Sequence, residues 1–365
     1  MSSSALDLRV DPDIRRARTL PSSFYTDPDL HRRIVERVFA PSWQLAGDTE
    51  LVRTPGSIHP FRLLEGSIDE PLLLTRDYDD QLHLMSNVCT HRGFTVAEHG
   101  GCVRHLRCRY HGRRFGLDGS FSSMPECEDA VDFPSESDHL PKLPLEGWGP
   151  FLFTSIDPAH SFQAVFGDMM QRLAWLPLDE FKFDPVSSRD YLVRANWALY
   201  CDNYLEGFHI PFVHASLDQL LDYGSYETEL FAHSNLQLGV ASDAADTFDL
   251  PASSPDAGRS IAAYYYWIFP NLMFNFYPWG VSVNVVQPLA VDRTKVSFLS
   301  WIWKPDLFEQ AGATAGLDRV EREDEAVVEG VQLGVRSRLY DRGRYSPKRE
   351  QGVHHFHRLL STALV

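Results

Sequence analysis

Lysine is nearly missing from this chain: of the 34 basic residues only five are lysine, and 50 acidic residues outweigh them to a net charge of −16. No face is expected to be basic enough for nucleic acid, which excludes polyanion binding as a function class. Cysteine is scarce too. Five cysteines, three of them without regular spacing, offer no disulfide framework and fit a reducing compartment, so a cytoplasmic protein is expected. Long apolar runs are also missing: no window reaches about 18 uninterrupted apolar residues, and MSSSALDLRVDPDIRRARTLP lacks the apolar core of a signal peptide. No membrane role is expected. What is present is a chain of 365 residues, 44% hydrophobic and 12% aromatic, long enough for two domains with cores of their own.

Two of the five cysteines stand in a pattern. Cys89-Thr90-His91 and Cys108-Arg109-Tyr110-His111 are separated by sixteen residues. Two thiolates and two imidazoles are what a [2Fe–2S] centre of Rieske type needs, in which histidines replace two of four cysteines and raise the reduction potential. The alternative is a structural zinc site with the same donors. Zinc fingers usually keep their cysteines together and their histidines together, whereas both pairs here are mixed. Gly93 follows the first pair, and Gly112, Gly116 and Gly119 follow the second, where a backbone must turn tightly near sulfur.

The rest of the chain brackets this motif. Leu30, Ile34, Val38 and Phe39 recur at helical spacing after Asp27-Pro28, which predicts a helix ending near Pro41. From residue 43 the text changes to short apolar or alternating runs broken by Gly and Pro, the pattern of a small β domain. PECEDAVDFPSESDHLPKLPLEGWGP, with five prolines, reads as an irregular return toward a second domain. The boundaries are placed at 1–42 for a helical entry segment packing on the second domain, 43–155 for the β domain and 156–365 for an α+β domain. In the last, a helix is expected around NWALYCDNYLEGFH, strands from about Ile261 to Lys304, and an amphipathic helix from Asp318 to Tyr340.

YCDNYLEGFHIPFVH holds a second constellation: Asp202, Asn203, Glu206, His209 and His214. Two histidines and a carboxylate leave coordination positions open on iron(II), where O₂ can bind beside a substrate. Positions five apart on an ideal helix lie roughly 140° from each other, so His209 and His214 converge only if the helix is distorted. Pro211, whose ring clashes with the carbonyl of Gly207, is the expected cause. A carboxylate must come from elsewhere. In the acidic run Glu321, Glu323, Asp324, Glu325, most members read as a solvated helix face. Asp324, aligned with Val327, Val328 and Val331, is the one expected to face inward.

At this point the residues resemble the α (oxygenase) subunits of the Rieske non-haem iron oxygenases, the ring-hydroxylating family, along nearly the whole chain. LPSSFYTDPDL, CTHRG with CRYHG, NWALYCDNYLEGFHIPFVH and EREDEAVVEGVQLG carry the resemblance. It implies that Cys89, His91, Cys108 and His111 hold the [2Fe–2S] cluster and that His209, His214 and Asp324 hold a mononuclear Fe(II). It also implies a fold class of α+β, with an all-β Rieske domain ahead of a helix-grip domain, an antiparallel sheet around a long helix. Glu206 matches the acidic residue that in this family joins an iron histidine to a cluster histidine of a neighbouring subunit in a homotrimer. Many relatives have Asp there, and the longer Glu changes the bridge. Asp202 and Asn203 are expected to orient the ligands, with Trp197 as packing. No Gly-rich dinucleotide loop is present, so NAD(P)H would serve only through a separate flavin or iron–sulfur reductase or a ferredoxin, with O₂ as co-substrate.

The aromatic block YYYWIFPNLMFNFYPWG supplies faces for a quaternary ammonium or a flat ring, although alternate residues would fill the core of a sheet. Within the family, this block and CDNYLEGFHIPFVH look closest to the choline monooxygenase and betaine demethylase branch. That favours a methylated amine as the small-molecule substrate over hydroxylation of an aromatic ring. Two other classes stay open: a Rieske electron carrier would not need His209, His214 and Asp324, and a zinc hydrolase would not need the cluster.

Overall fold

Asp27 caps the first helix, Pro28–Ile34, by accepting from the N–H groups of Asp29 and Leu30, and proline at its first position fixes the entry angle. The helix continues as a π turn through Val35–Phe39, which ends just ahead of Pro41 and buries Val38 and Phe39 beside Leu30 and Ile34. The computed structural model describes residues 7–214, 224, 227–241 and 246–365. It divides into two compact units: residues 1–42 with 159–365, and residues 43–158 between them. The sequence places the return boundary at 155; the division in space falls after Pro158.

The inserted unit is all β. A four-stranded antiparallel sheet runs in the order Leu82–Ser86, Glu70–Arg76, Ser57–Leu63, Gly101–Cys102; two three-stranded sheets complete it, Gln44–Asp48 with Phe151–Thr154 and Leu145–Trp148, and Leu106–Arg107 with Arg114–Phe115 and Phe121–Ser123. Its core gathers Leu73, Met85, Phe115, Leu117 and Leu140 around Cys89 and Cys108.

The larger unit is α+β. Its seven-stranded antiparallel sheet has the order Lys182–Val193, Arg293–Ile302, Gly280–Ala290, Leu272–Tyr277, Ile261–Ile268, Ser234–Val240, Glu227–Leu230. The short helix Trp197–Tyr204 packs on the strand Gly280–Ala290 and on the long helix Ala313–Gly334. Trp197 anchors it between Phe39 and Phe356 at ring distances of 4.7 and 5.6 Å. The long helix begins five residues before the expected Asp318 and ends six before Tyr340. Its buried stripe is Glu321, Val328, Gln332 and Val335; Val331, expected inward, is 43% exposed. Among the described residues, no helix is long and apolar enough to cross a membrane.

Candidate active site

In the β unit, two loops repeat one construction. The Gly93 N–H donates to the Cys89 carbonyl at 3.0 Å and the Cys89 N–H to the Phe94 carbonyl at 2.8 Å; Gly112 with Cys108, and Cys108 with Arg113, repeat this at 3.0 and 2.9 Å. The glycine four residues after each cysteine sits at φ +70° or +77°, the left-handed region that a side chain resists. Both cysteines are buried, whereas His91 and His111 are exposed, their rings 4.8 Å apart. Burial pushes the Cys89 thiol up, so ligation there is also a deprotonation. Behind the loops Arg113 is buried, paired to Asp138 at 2.6 Å and enclosed by the rings of Phe115, Phe121 and Phe133. Two buried sulfurs and two outward imidazoles brought together on matched loops fit a [2Fe–2S] centre with mixed ligands.

In the larger unit, the helix Trp197–Tyr204 ends at Leu205, before the motif's first histidine. A single helical turn, Ile210–Val213, follows, with Pro211 in its first turn, where a missing N–H does no harm. Pro211 therefore starts a new turn; it does not break a continuous helix as the spacing suggested. His209 and His214 flank this turn, and His214 leaves helical geometry at φ −114°, ψ 75°. Their rings stand 5.1 Å apart. Asp324 reaches them from the long helix, Oδ1 lying 3.5 Å from His209 Nε2 and 3.0 Å from His214 Nε2. One donor atom from each of the three lies within 4.8 Å of the others, a set that fits a single iron with open positions.

The other ring nitrogens are held by carboxylates, which fixes which nitrogen is free to bind metal. Glu206 Oε1 lies 2.7 Å from His209 Nδ1, and Glu323 Oε2 lies 2.7 Å from His214 Nδ1. Burial lowers the affinity of His214 for a proton, but Asp324 and Glu323 outweigh it and the net shift is upward. Glu323 escaped the sequence reading because it belongs to an acidic run that looks like a solvated face. Asp202, expected to orient the ligands, is engaged elsewhere: its two oxygens bind Tyr25 Oη at 3.0 Å and His357 Nε2 at 2.8 Å, and His357 Nδ1 meets Tyr345 Oη at 2.7 Å. Asp202 thus ties the entry segment and the C-terminal helix Gln351–Leu364 to the helix Trp197–Tyr204. Asn203 lines the cavity beside His209, His214 and Asp324.

That cavity, of about 540 Å³, is bounded by His209, His214 and Asp324, by the sheet and by the first turns of the long helix. Of nine aromatic residues singled out between Tyr264 and Trp279, three reach it: Tyr265, Tyr277 and Trp279. Alternation along the strands explains this, since Tyr264 and Tyr266 point to the other face, toward Phe248 and Phe231. Tyr277 stacks on Trp279 at 5.1 Å, and Tyr265 meets Tyr277 edge-on at 5.9 Å, forming an aromatic corner.

Known proteins match both halves. The Rieske [2Fe-2S] domain family matches residues 42–142, and the ring hydroxylating alpha subunit (catalytic domain) family matches residues 175–364. The chloroplastic choline monooxygenase of Arabidopsis thaliana is 32% identical over 377 residues, covering 98% of this chain and 86% of that protein. The carnitine monooxygenase oxygenase subunit of Escherichia coli K12 is 27% identical, covering 95% of this chain and 94% of that one. A crystal structure of a quaternary ammonium Rieske monooxygenase in complex with gamma-butyrobetaine superimposes with a TM-score of 0.76 at 23% identity, covering 97% of each chain.

Proposed function

Since the chain belongs to the α subunits of the Rieske ring-hydroxylating oxygenases, we propose that it oxygenates a methylated or quaternary amine, by hydroxylation or N-demethylation. It is an oxidoreductase with a [2Fe–2S] cluster, a mononuclear iron and O₂ as co-substrate, and a separate reductase or ferredoxin supplies its electrons. The observation that carries the substrate reading is the aromatic corner in the iron-site cavity: Tyr265, Tyr277 and Trp279 offer π faces that attract a cation bearing no hydrogen-bond donor. The choline and carnitine monooxygenases among its relatives support it.

When bound, the cluster and the iron supply the one-electron chemistry and the O₂ coordination that side chains lack. Cys89, His91, Cys108 and His111 would hold the former, and His209, His214 and Asp324 the latter. Glu206 and Glu323 keep the Nδ1 protons of the two iron histidines on the side away from Asp324, presenting Nε2 to the metal. The aromatic faces restrict how a substrate lies against the ligands.

In the same reading the protein is a cytoplasmic homotrimer, and Glu206 joins His209 to a cluster histidine of a neighbouring copy. Exposure of His91 and His111 beside buried cysteines supports this, because it leaves the imidazole side of the cluster open to a partner. Glu206→Gln is then expected to retain both metals and to slow cluster-to-iron transfer in a single turnover; an unchanged rate would remove Glu206 from the path.

The substrate reading is tested on anaerobically purified protein by metal and sulfide analysis with EPR before and after nitric oxide. About three irons and two sulfides per chain are expected, with an iron–nitrosyl signal that choline or carnitine perturbs. Perturbation by aromatic acids and not by methylated amines would reverse the substrate assignment.

A further inference from the structure

The long helix presents Gly316, Val320 and Asp324 to the cavity, one residue every four, continuing from its N-cap Gly312. Glu321 stands one position beyond Val320, rotated by about 100°, and also forms part of the wall. It is only 2% exposed. Its Oε2 accepts a hydrogen bond of 2.6 Å from Tyr200, whereas its buried Oε1 has no partner among the described residues. Glu321 is not a ligand of the iron site and, among the described residues, makes no ion pair. Arg319, on the other flank of Val320, is exposed and also lines the cavity, but it makes no ion pair with Glu321.

A buried carboxylate with one hydrogen bond and no ion-pair partner among the described residues is costly in its ionised form. Burial, and after it the carboxylates of Asp324, Glu325 and Asp318, accordingly push Glu321 well above the usual range, against the opposing bond from Tyr200. Tyr200, itself raised by burial and by Glu321, remains a hydroxyl donor. A fixed positive charge brought against Glu321 favours its ionised form, because it compensates that form in a medium of low dielectric, and it acts in addition to Arg319 and to an iron held at Asp324.

We propose that Glu321 is the counter-charge for a cationic substrate: entry of the ammonium is accompanied by release of the Glu321 proton to solvent, so that the cavity gains one positive charge and loses one. This rests on the methylated-amine reading above, and makes Glu321 a specificity residue in which the aromatic corner supplies the shape and the carboxylate the sign.

The test is calorimetric binding of choline and of its neutral isostere 3,3-dimethylbutan-1-ol to the metal-loaded protein, in buffers of different ionisation enthalpy. Wild type is expected to bind choline roughly tenfold or more tightly than the isostere, and to release close to one proton with choline only. Glu321→Gln, which keeps an oxygen for Tyr200, is expected to cut that preference about tenfold while leaving affinity for the isostere within about twofold. Equal proton release with both ligands in wild type, or an undiminished preference in Glu321→Gln, would overturn the role of Glu321. Failure of wild type to bind any methylated amine would instead overturn the reading on which it rests. The proton measurement needs no variant, so it stands even if Glu321→Gln does not fold.

Discussion

The cluster loops and the iron site solve the problem of converging ligands in opposite ways. Each loop closes within six residues, Cys89 to Phe94 and Cys108 to Arg113, by the same two backbone hydrogen bonds and the same left-handed glycine. The candidate iron ligands span residues 209 to 324, and nothing local brings Asp324 to the two histidines. They converge because the helix Trp197–Tyr204, which leads into the histidine turn, packs on the long helix, and because a one-turn helix reorients His214. A locally closed site depends on backbone conformation; an assembled one depends on packing and on the carboxylates that hold its rings.

Single substitutions separate the two. The largest effect is expected from His209→Ala, which should abolish mononuclear iron and turnover while leaving the cluster absorption and EPR spectra as they are; surviving turnover would exclude His209 as a ligand. Removing a support rather than a ligand is the next step down. Glu323→Ala should weaken iron affinity about 10- to 100-fold, read by iron titration of the apo-site, with the cluster again unaffected.

On the other side of the comparison, Gly93→Ala tests backbone alone, since a Cβ there meets nothing within 4 Å. It should cost about 1–2 kcal/mol of stability, measured as denaturant-induced loss of cluster absorbance, with iron binding at His209 and His214 unchanged. The smallest effect belongs to pH. The Arg113 guanidinium, helped by the Ser135 N–H, holds Asp138 below its ordinary value of 3.8. A depressed carboxylate stabilises the fold above that value and loses the contribution as pH falls through the lowered one. Wild type should therefore exceed Asp138→Asn in stability by a constant margin at neutral pH, and the margin should shrink below about pH 4. A margin that grows toward acid would contradict the ion pair.

The same contrast explains what could be read from the chain. The cluster motif was legible because its ligands, its glycines and its reversals lie in two short strings. The strand block from Ile261 onward and the helix carrying Asp324 were legible from periodicity. Glu323 and Glu321 were not, because an acidic run on a helix reads as solvated until the partner surfaces are known: His214 for the one and Tyr200 for the other. Asp202 was misplaced for a related reason. Four residues from Glu206, it would share its face on a continuous helix, but the helix stops at Leu205 and the two carboxylates part, one toward His209 and one toward His357.

The matched loops also constrain how the β unit matures. In a Rieske centre one iron takes both cysteines and the other both histidines, and here each loop contributes one of each. Neither loop can complete the coordination of either iron by itself. With the four residues as its ligands, loading would be all-or-none with respect to the two loops, and a lesion in one is expected to empty the whole centre rather than leave a half-filled intermediate.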